Sequence, residues 1–398
     1  MTREMGFKRN LALLACLLCG AFWLAVYAVK IEDRLLRGAN DFLQLYAGSR
    51  LVGTPQLYDA ESAWRIHRQA VGYFLPSVVY TRPPFYAWLL RPLGRLPYRQ
   101  AYWTFMALNF AAMGWFCWRF FRRHPAAAFL AACFPPLYVA VLVGNDVGLV
   151  LGLLGGAVAL MEKKRDFAAG LLLSLCAIKF HLFLLLPAAL WILGRRRVVA
   201  GGAAGGALLT GLSFFAQGLA WPRQYLAILR SPTVHPLIER MPNLHGLMLN
   251  LLPAYELPAT AAASLCVAAA VLWLISRDPR DWKTGLAFTL IGGLLLSWHS
   301  YTQDAALLLL VLALLQQSRM TAAVKLPLAI AFLPLTFWMV SSPAPWPTLP
   351  AVLMLLTIAG ALWNARSARP AANPAVTATD SSPAPASPPA LPASSATP

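Results

Sequence analysis

Uninterrupted apolar runs of about 15 to 20 residues, roughly the length a helix needs to cross a bilayer, recur along this chain from Leu11 to Trp363. In hydrocarbon every backbone donor and acceptor must be satisfied within the segment itself, so such runs can fold only as helices. Of the 398 residues, 59% are hydrophobic and 12% charged. That is about half the charge of an ordinary soluble domain, which rules out soluble, disordered and disulfide-scaffold classes. The reading that remains is an all-α polytopic membrane protein.

Net charge is +18, from 33 Lys and Arg against 15 Asp and Glu. Those cations fall in small packets between apolar runs rather than in one basic surface, so no nucleic-acid partner is expected. Arg3, Lys8 and Arg9 precede a first apolar run at 11–29, taken as a retained helix with a cytoplasmic amino terminus. Later spans read as 101–120, 124–143, 146–161, a short pair at 167–178 and 181–194, then 198–217, 258–276, 283–299, 302–317, 322–341 and 347–364, about twelve in all. Arg119/Arg122/Arg123, Lys163/Lys164/Arg165, Arg195 to Arg197, Arg277/Arg280/Lys283, Arg319/Lys325 and Arg366/Arg369 then share one side. By the charge bias of cytoplasmic loops that side is the inner one, with both termini cytoplasmic.

The short pair is the weak joint, since segments of about 12 to 14 residues rise only about 18 to 21 Å. One long span over 167–193 would fit the length but would place every later basic packet outside. A hairpin turning at Lys179-Phe180-His181 keeps the charge pattern. It sets a lysine at membrane depth, which costs about 2.5 to 3.5 kcal/mol on insertion scales and calls for a polar cavity.

The domain is therefore read as residues 1–365, with two outward segments, 30–100 and 218–257, and a Pro/Ala/Ser-rich cytoplasmic tail at 366–398 expected to be disordered. Just past the first span, Asn40-Asp41-Phe42-Leu43-Gln44-Leu45-Tyr46 opens a helical stripe ending at Gly53 and Pro55, a juxtamembrane helix that either acid-side residue, Asn40 or Asp41, is able to cap. Asp59 and Glu61 read as solvated loop acids, with a minority role as a base. Tyr80-Thr81-Arg82-Pro83-Pro84-Phe85 is held extended by its prolines, leaving Arg82 at the membrane face, where a lone arginine also serves as a headgroup anchor. Asp146, after Gly144-Asn145, reads first as a helix cap. Trp298-His299-Ser300-Tyr301-Thr302-Gln303-Asp304 is unusually polar for a turn, although interfacial aromatics explain its Trp298 and Tyr301.

Taken in order, several of these features form a pattern: Asp41-x4-Tyr46, Gly53-x3-Leu57-Tyr58, Pro83-Pro84-Phe85 leading to Pro92-Leu93, the Gly144-Asn145 turn, the Lys179 turn ahead of Pro187, and the Trp298-His299 turn. The pattern resembles glycosyltransferase family 87, polyprenol-phosphate-sugar-dependent mannosyltransferases of the GT-C class. The likeness spans residues 35–320 and is strongest over 41–97. It departs from the family where Arg82 precedes Pro83-Pro84 in place of Tyr, where Asn145-Asp146 replaces Gln, and where Phe180 follows Lys179 in place of Pro.

The resemblance implies a GT-C helical bundle in the inner membrane, a polyprenyl-phosphate-sugar donor, a glycan or lipid acceptor and a site on the periplasmic or extracellular face. It implies Asp41 as general base, with Lys179, Arg82 and His181 on the donor phosphate. Candidate sugar or acceptor contacts are Tyr46, Tyr80, Asn145, Asp146, Asn243, His245 and His299. No HExxH, no paired His/Cys spacing and no Asp-x-Asp occurs, so neither metal nor other cofactor is expected. The readings that compete are a transporter or flippase of a lipid-linked sugar, which would favour related halves and mid-bilayer polar groups, and a different GT-C branch.

Overall fold

The computed structural model describes residues 31–231, 237–316, 320–341 and 345–367, together with positions 14, 18, 22, 25 and 234. The first apolar run, the amino-terminal cations and the tail from 368 lie essentially outside the described residues. Every described element is helical. In chain order these are α1 (Phe42–Leu51), α2 (Ala60–Val71), α3 (Pro84–Leu89), α4 (Arg91–Gly94), α5 (Tyr98–Phe121), α6 (Pro125–Ala132), α7 (Pro135–Leu142), α8 (Val147–Glu162) and α9 (Asp166–Ser174). After a 3-10 turn at Leu175–Leu182 come α10 (Leu186–Ile192), α11 (Arg196–Gln217), α12 (Trp221–Leu229), α13 (Leu244–Leu251), α14 (Glu256–Arg277) and α15 (Trp282–Leu296). A second 3-10 turn, Thr302–Leu307, leads to α16 (Leu308–Leu315), α17 (Ala322–Ala331), α18 (Pro334–Trp338) and α19 (Leu349–Ser367).

Three helical stretches are long and apolar enough to cross a membrane: Arg196–Gln217, Pro253–Arg277 and Trp346–Arg366. A fourth arises if α6 and α7, bent by 47°, act together. The described residues therefore do not give twelve full-length spans. The run 322–341 is divided at Pro334 and 124–143 bends at Pro135-Pro136, because proline removes a ladder donor and clashes with the preceding turn, while 302–317 begins as a 3-10 turn.

The bundle has two chemically distinct ends. At one, Glu162 at the close of α8 pairs with Arg119 of α5 and, at 2.7 Å, with Lys283 at the start of α15. At the other end of α8, 16 residues and about 24 Å away, stands Asp146. Residues 166–195 form the hairpin: Arg195 Nη1 lies 3.4 Å from the Asp166 carboxylate, so the two ends of the segment meet, while Lys179 turns at the far end with non-helical φ −129° and ψ 46°. Close approach of α9 to α11 depends on Gly170 and Gly201, where any Cβ would overlap a carbonyl of the other helix. Against the Asp146 end, Phe42 of α1 packs on Tyr98, Tyr102 and Phe105 of α5, with centroids 4.8 to 5.8 Å apart.

Candidate active site

A polar cavity of about 120 Å³ lies at the end of the bundle opposite Glu162. Asp41, Gln44, Arg82, Asn145, Lys179, His181, His299 and Asp304 all face it. These residues come from five separate stretches of chain, and each is set by a local device.

Asp41 stands at the start of α1 but caps nothing; Asn40 takes that part, accepting from Phe42 N at 3.1 Å. The Asp41 carboxylate instead receives Asn145 Nδ2 at 3.0 Å, and Asp41 N donates to Val143 O at 2.9 Å, which ties α1 to the turn between α7 and α8. That turn needs Gly144, whose φ is +60° and whose missing side chain leaves room for Asn40. Burial pushes the Asp41 carboxyl above its ordinary value, with the neighbouring Asp146 charge adding to the effect and Asn145, Lys179 and Arg82 opposing it.

Arg82 is buried, not a headgroup anchor at the surface. Its guanidinium meets the Asp146 carboxylate at 3.4 and 3.5 Å. Three tyrosine hydroxyls hold the extended segment around it: Tyr225 donates to Thr81 O at 3.3 Å, Tyr58 to Arg82 O at 3.0 Å and Tyr80 to Pro83 O at 2.9 Å. Lys179 is equally buried, with its ammonium 2.5 Å from Asp304 Oδ1 and 3.4 Å from Asp146 Oδ1. Asp304 is aimed by Tyr301 N, which donates to its Oδ2 at 3.0 Å. Asp146 is thus shared between two cations and makes no side-chain cap. Of the three carboxylates, Asp41 alone is in no ion pair among the described residues.

Several candidates fall elsewhere. Tyr46 is in the core beside α5, its hydroxyl donating to Leu96 O at 2.9 Å. The Tyr80 ring fills the space above Gly48. Asn243 and His245 do not line the cavity but brace the loop that does: Asn243 Nδ2 donates to Ser297 O at 2.8 Å, and the His245 ring stacks on Trp298 at 3.9 Å with Nδ1 donating to Trp298 O at 3.1 Å. The outer nitrogen of His245 meets Glu256. His181 and His299 lie edge to face at 6.1 Å, and His181 Nδ1 is 2.8 Å from Ser297 Oγ. Asp59 accepts from Ser62 N at 2.8 Å and so caps α2.

Beside the cavity runs an apolar groove of about 490 Å³ between α3, α5, α8 and the 175–182 turn. Its lining includes Phe85 and Tyr86, just after the Arg82 segment, and Ile178, just before Lys179. Tyr86 contributes to the groove, while its buried hydroxyl has no hydrogen-bond partner among the described residues.

The sequence model of glycosyltransferase family 87 matches residues 80–300, more than half of the chain. The chain belongs to glycosyltransferase family 87. No curated protein and no solved structure gives a significant match. As a family 87 member it is a glycosyltransferase with membrane helices, acting between a sugar donor and an acceptor. The matched region of this family 87 enzyme covers Arg82, Asn145, Asp146, Lys179 and His181; Asp41 lies before it and Asp304 just after. Asp304 is the residue that sequence reasoning left within a polar turn, since nothing local marks it as the partner of a lysine in another hairpin.

Proposed function

We propose that this glycosyltransferase moves a hexose, mannose by the family resemblance, from a polyprenyl-phosphate donor to a glycan or lipid acceptor with inversion at the anomeric carbon. The observation that carries the reading is that Asp41 and Lys179 face one polar cavity with an apolar groove opening beside it. A lipid-phosphate sugar needs both environments at once: hydrocarbon walls for the prenyl chain and fixed cations for the phosphate.

In this reading the chain lies in the groove along Phe85, Tyr86 and Ile178, and the phosphate reaches Lys179 and Arg82, with His181 near by. The unpaired Tyr86 hydroxyl stands at the boundary, placed to donate to a phosphate oxygen. Asp41 takes the proton of the acceptor hydroxyl as its oxygen attacks the anomeric carbon. The glycosidic bond to phosphate breaks, the phosphate oxygen keeps the electron pair, and the cations stabilise its growing charge. A β-linked donor then gives an α-linked product. A lipid monophosphate leaving group asks less of a divalent ion than a nucleotide diphosphate does.

The wider arrangement is read as a GT-C bundle of about twelve helices in the inner membrane. The basic end around Glu162 faces the cytoplasm and the cavity faces the periplasm, as the charge bias of membrane loops requires. Purified enzyme supplied with radiolabelled polyprenyl-phosphate mannose and acceptor lipid should transfer label in the presence of chelator and stop in Asp41→Asn. Label that crosses vesicles without a new glycosidic bond would instead support a flippase.

A further inference from the structure

The end of the bundle away from the cavity carries a second polar pocket, of about 130 Å³. Arg119, Arg122, Arg123, Glu162, Lys283 and Gln316 line it, brought together from the ends of α5, α8 and α16 and the start of α15. Four of these are cations and one is an acid. Glu162 is already committed to Arg119 and Lys283. Arg122 and Arg123 have no carboxylate partner among the described residues, although both point from one short stretch of chain into the same concavity. Helix carbonyl ends and the charge bias of membrane loops account for a basic packet at the close of α5, but not for its convergence with Lys283 and Gln316 on one concavity.

Two more features specify what would fill the pocket. The buried Oε1 of Gln316 has no hydrogen-bond partner among the described residues, so an occupant with a donor as well as negative charge suits the pocket. The rim has an apolar, aromatic side: Trp118 lies under Arg122 at 4.4 Å and is 56% exposed. A phosphate group joined to hydroxyls on one side and acyl chains on the other meets all three demands. We infer that this pocket binds the headgroup of an anionic, hydroxyl-bearing phospholipid, with phosphatidylglycerol as the chemical type. The phosphodiester sits between Arg122 and Arg123, a headgroup hydroxyl donates to Gln316, and the acyl chains follow the tryptophan surface. The site requires only the membrane setting and stands whether or not the donor lipid proposed above is right.

Full-length protein in detergent, given phosphatidylglycerol, phosphatidylcholine or inorganic phosphate and examined by native mass spectrometry, tests this. Wild type should retain phosphatidylglycerol with about tenfold lower Kd than phosphatidylcholine, and high salt should erase the difference. Arg122→Gln with Arg123→Gln should erase it at low salt while thermal unfolding in detergent stays as in wild type. Should that pair fail to fold, the salt titration of wild type and the single change Arg123→Gln read the same quantity. Equal retention of the two lipids, a preference unchanged in the folded double variant, or full displacement of phosphatidylglycerol by inorganic phosphate would each overturn the assignment, the last by showing a free-phosphate site.

Discussion

Lys179 and Asp304 stand 125 positions apart in the chain and meet at 2.5 Å in the interior, each nearly sealed from solvent. Breaking a buried pair by removing one partner leaves an uncompensated charge and costs about 3 to 5 kcal/mol. Asp304→Asn and Lys179→Met should each lower stability by that order, whereas the double change should cost clearly less than the sum of the two. A double-mutant cycle by denaturation in detergent gives the coupling, and simple additivity would mean the pair contributes nothing jointly. Activity should be lost in every variant lacking Lys179, the rescued double variant included.

Asp41→Asn separates chemistry from folding. Loss of a positioned general base should reduce turnover by about 10²- to 10⁴-fold. Burial raises the Asp41 carboxyl, so the folded state holds that proton more tightly than the unfolded chain does. Its contribution to stability is complete below the unfolded value and is lost as pH rises through the folded one. Above its folded value the ionised carboxylate is therefore a burden on the fold, so Asp41→Asn should raise Tm relative to wild type as pH increases while transfer falls. In wild type the acid limb of the rate profile should lie above the ordinary carboxylate range.

Gly144→Ala should damage the site without touching a charged group. The position has φ +60°, and an added Cβ would overlap the Asn40 side chain. Strain at such a position costs of order 1 to 3 kcal/mol. The displaced turn carries Asn145 away from Asp41, so turnover should fall even in the fraction that folds; a variant with wild-type kcat would show that the turn has slack.

His67 gives helix α2 an acid sensitivity. Its ring is fully buried, and burial lowers its pKa from 6.5 to about 4, the neighbouring Arg68 charge adding to this. Between those values the unfolded chain binds more protons than the folded one, so stability falls as pH drops from about 6.5 towards 4. At about 1.4 kcal/mol per pH unit the loss approaches about 3 kcal/mol. His67→Leu should flatten the Tm profile over this window relative to wild type, and a profile of unchanged slope would rule the histidine out.

Sidedness is open to labelling with a membrane-impermeant thiol reagent. On a background with the six native cysteines replaced, Gln56→Cys and Trp298→Cys should react from one side of the membrane and Arg123→Cys from the other. Reaction of positions 298 and 123 from the same side would break the two-ended arrangement and, with it, the proposed periplasmic site.

Read alone, the sequence specified what is local. Hydropathy set an all-helical membrane class, because hydrocarbon admits no other backbone geometry for such runs. The placement of basic packets between runs anticipated that Arg119, Arg195 and Lys283 belong to one end, and the short run before Lys179 anticipated the break in helical geometry there. Lys179 was conspicuous for the same reason: an ammonium among apolar residues requires a polar surrounding.

What surrounds it was decided by tertiary structure. Asp146 looks like a cap and Asp304 like part of a polar turn until the chain brings both to one ammonium, and ion pairs between distant segments leave no periodicity to read. The same holds for Asn243 and His245, whose side chains brace the 297–299 loop from behind the cavity, and for the three tyrosines that fasten the Arg82 segment through its carbonyls. Among the described residues, proline and 3-10 turns also divide runs that hydropathy counts as whole. Composition measures the solvent a segment prefers; which partners meet within that solvent depends on packing across the whole chain.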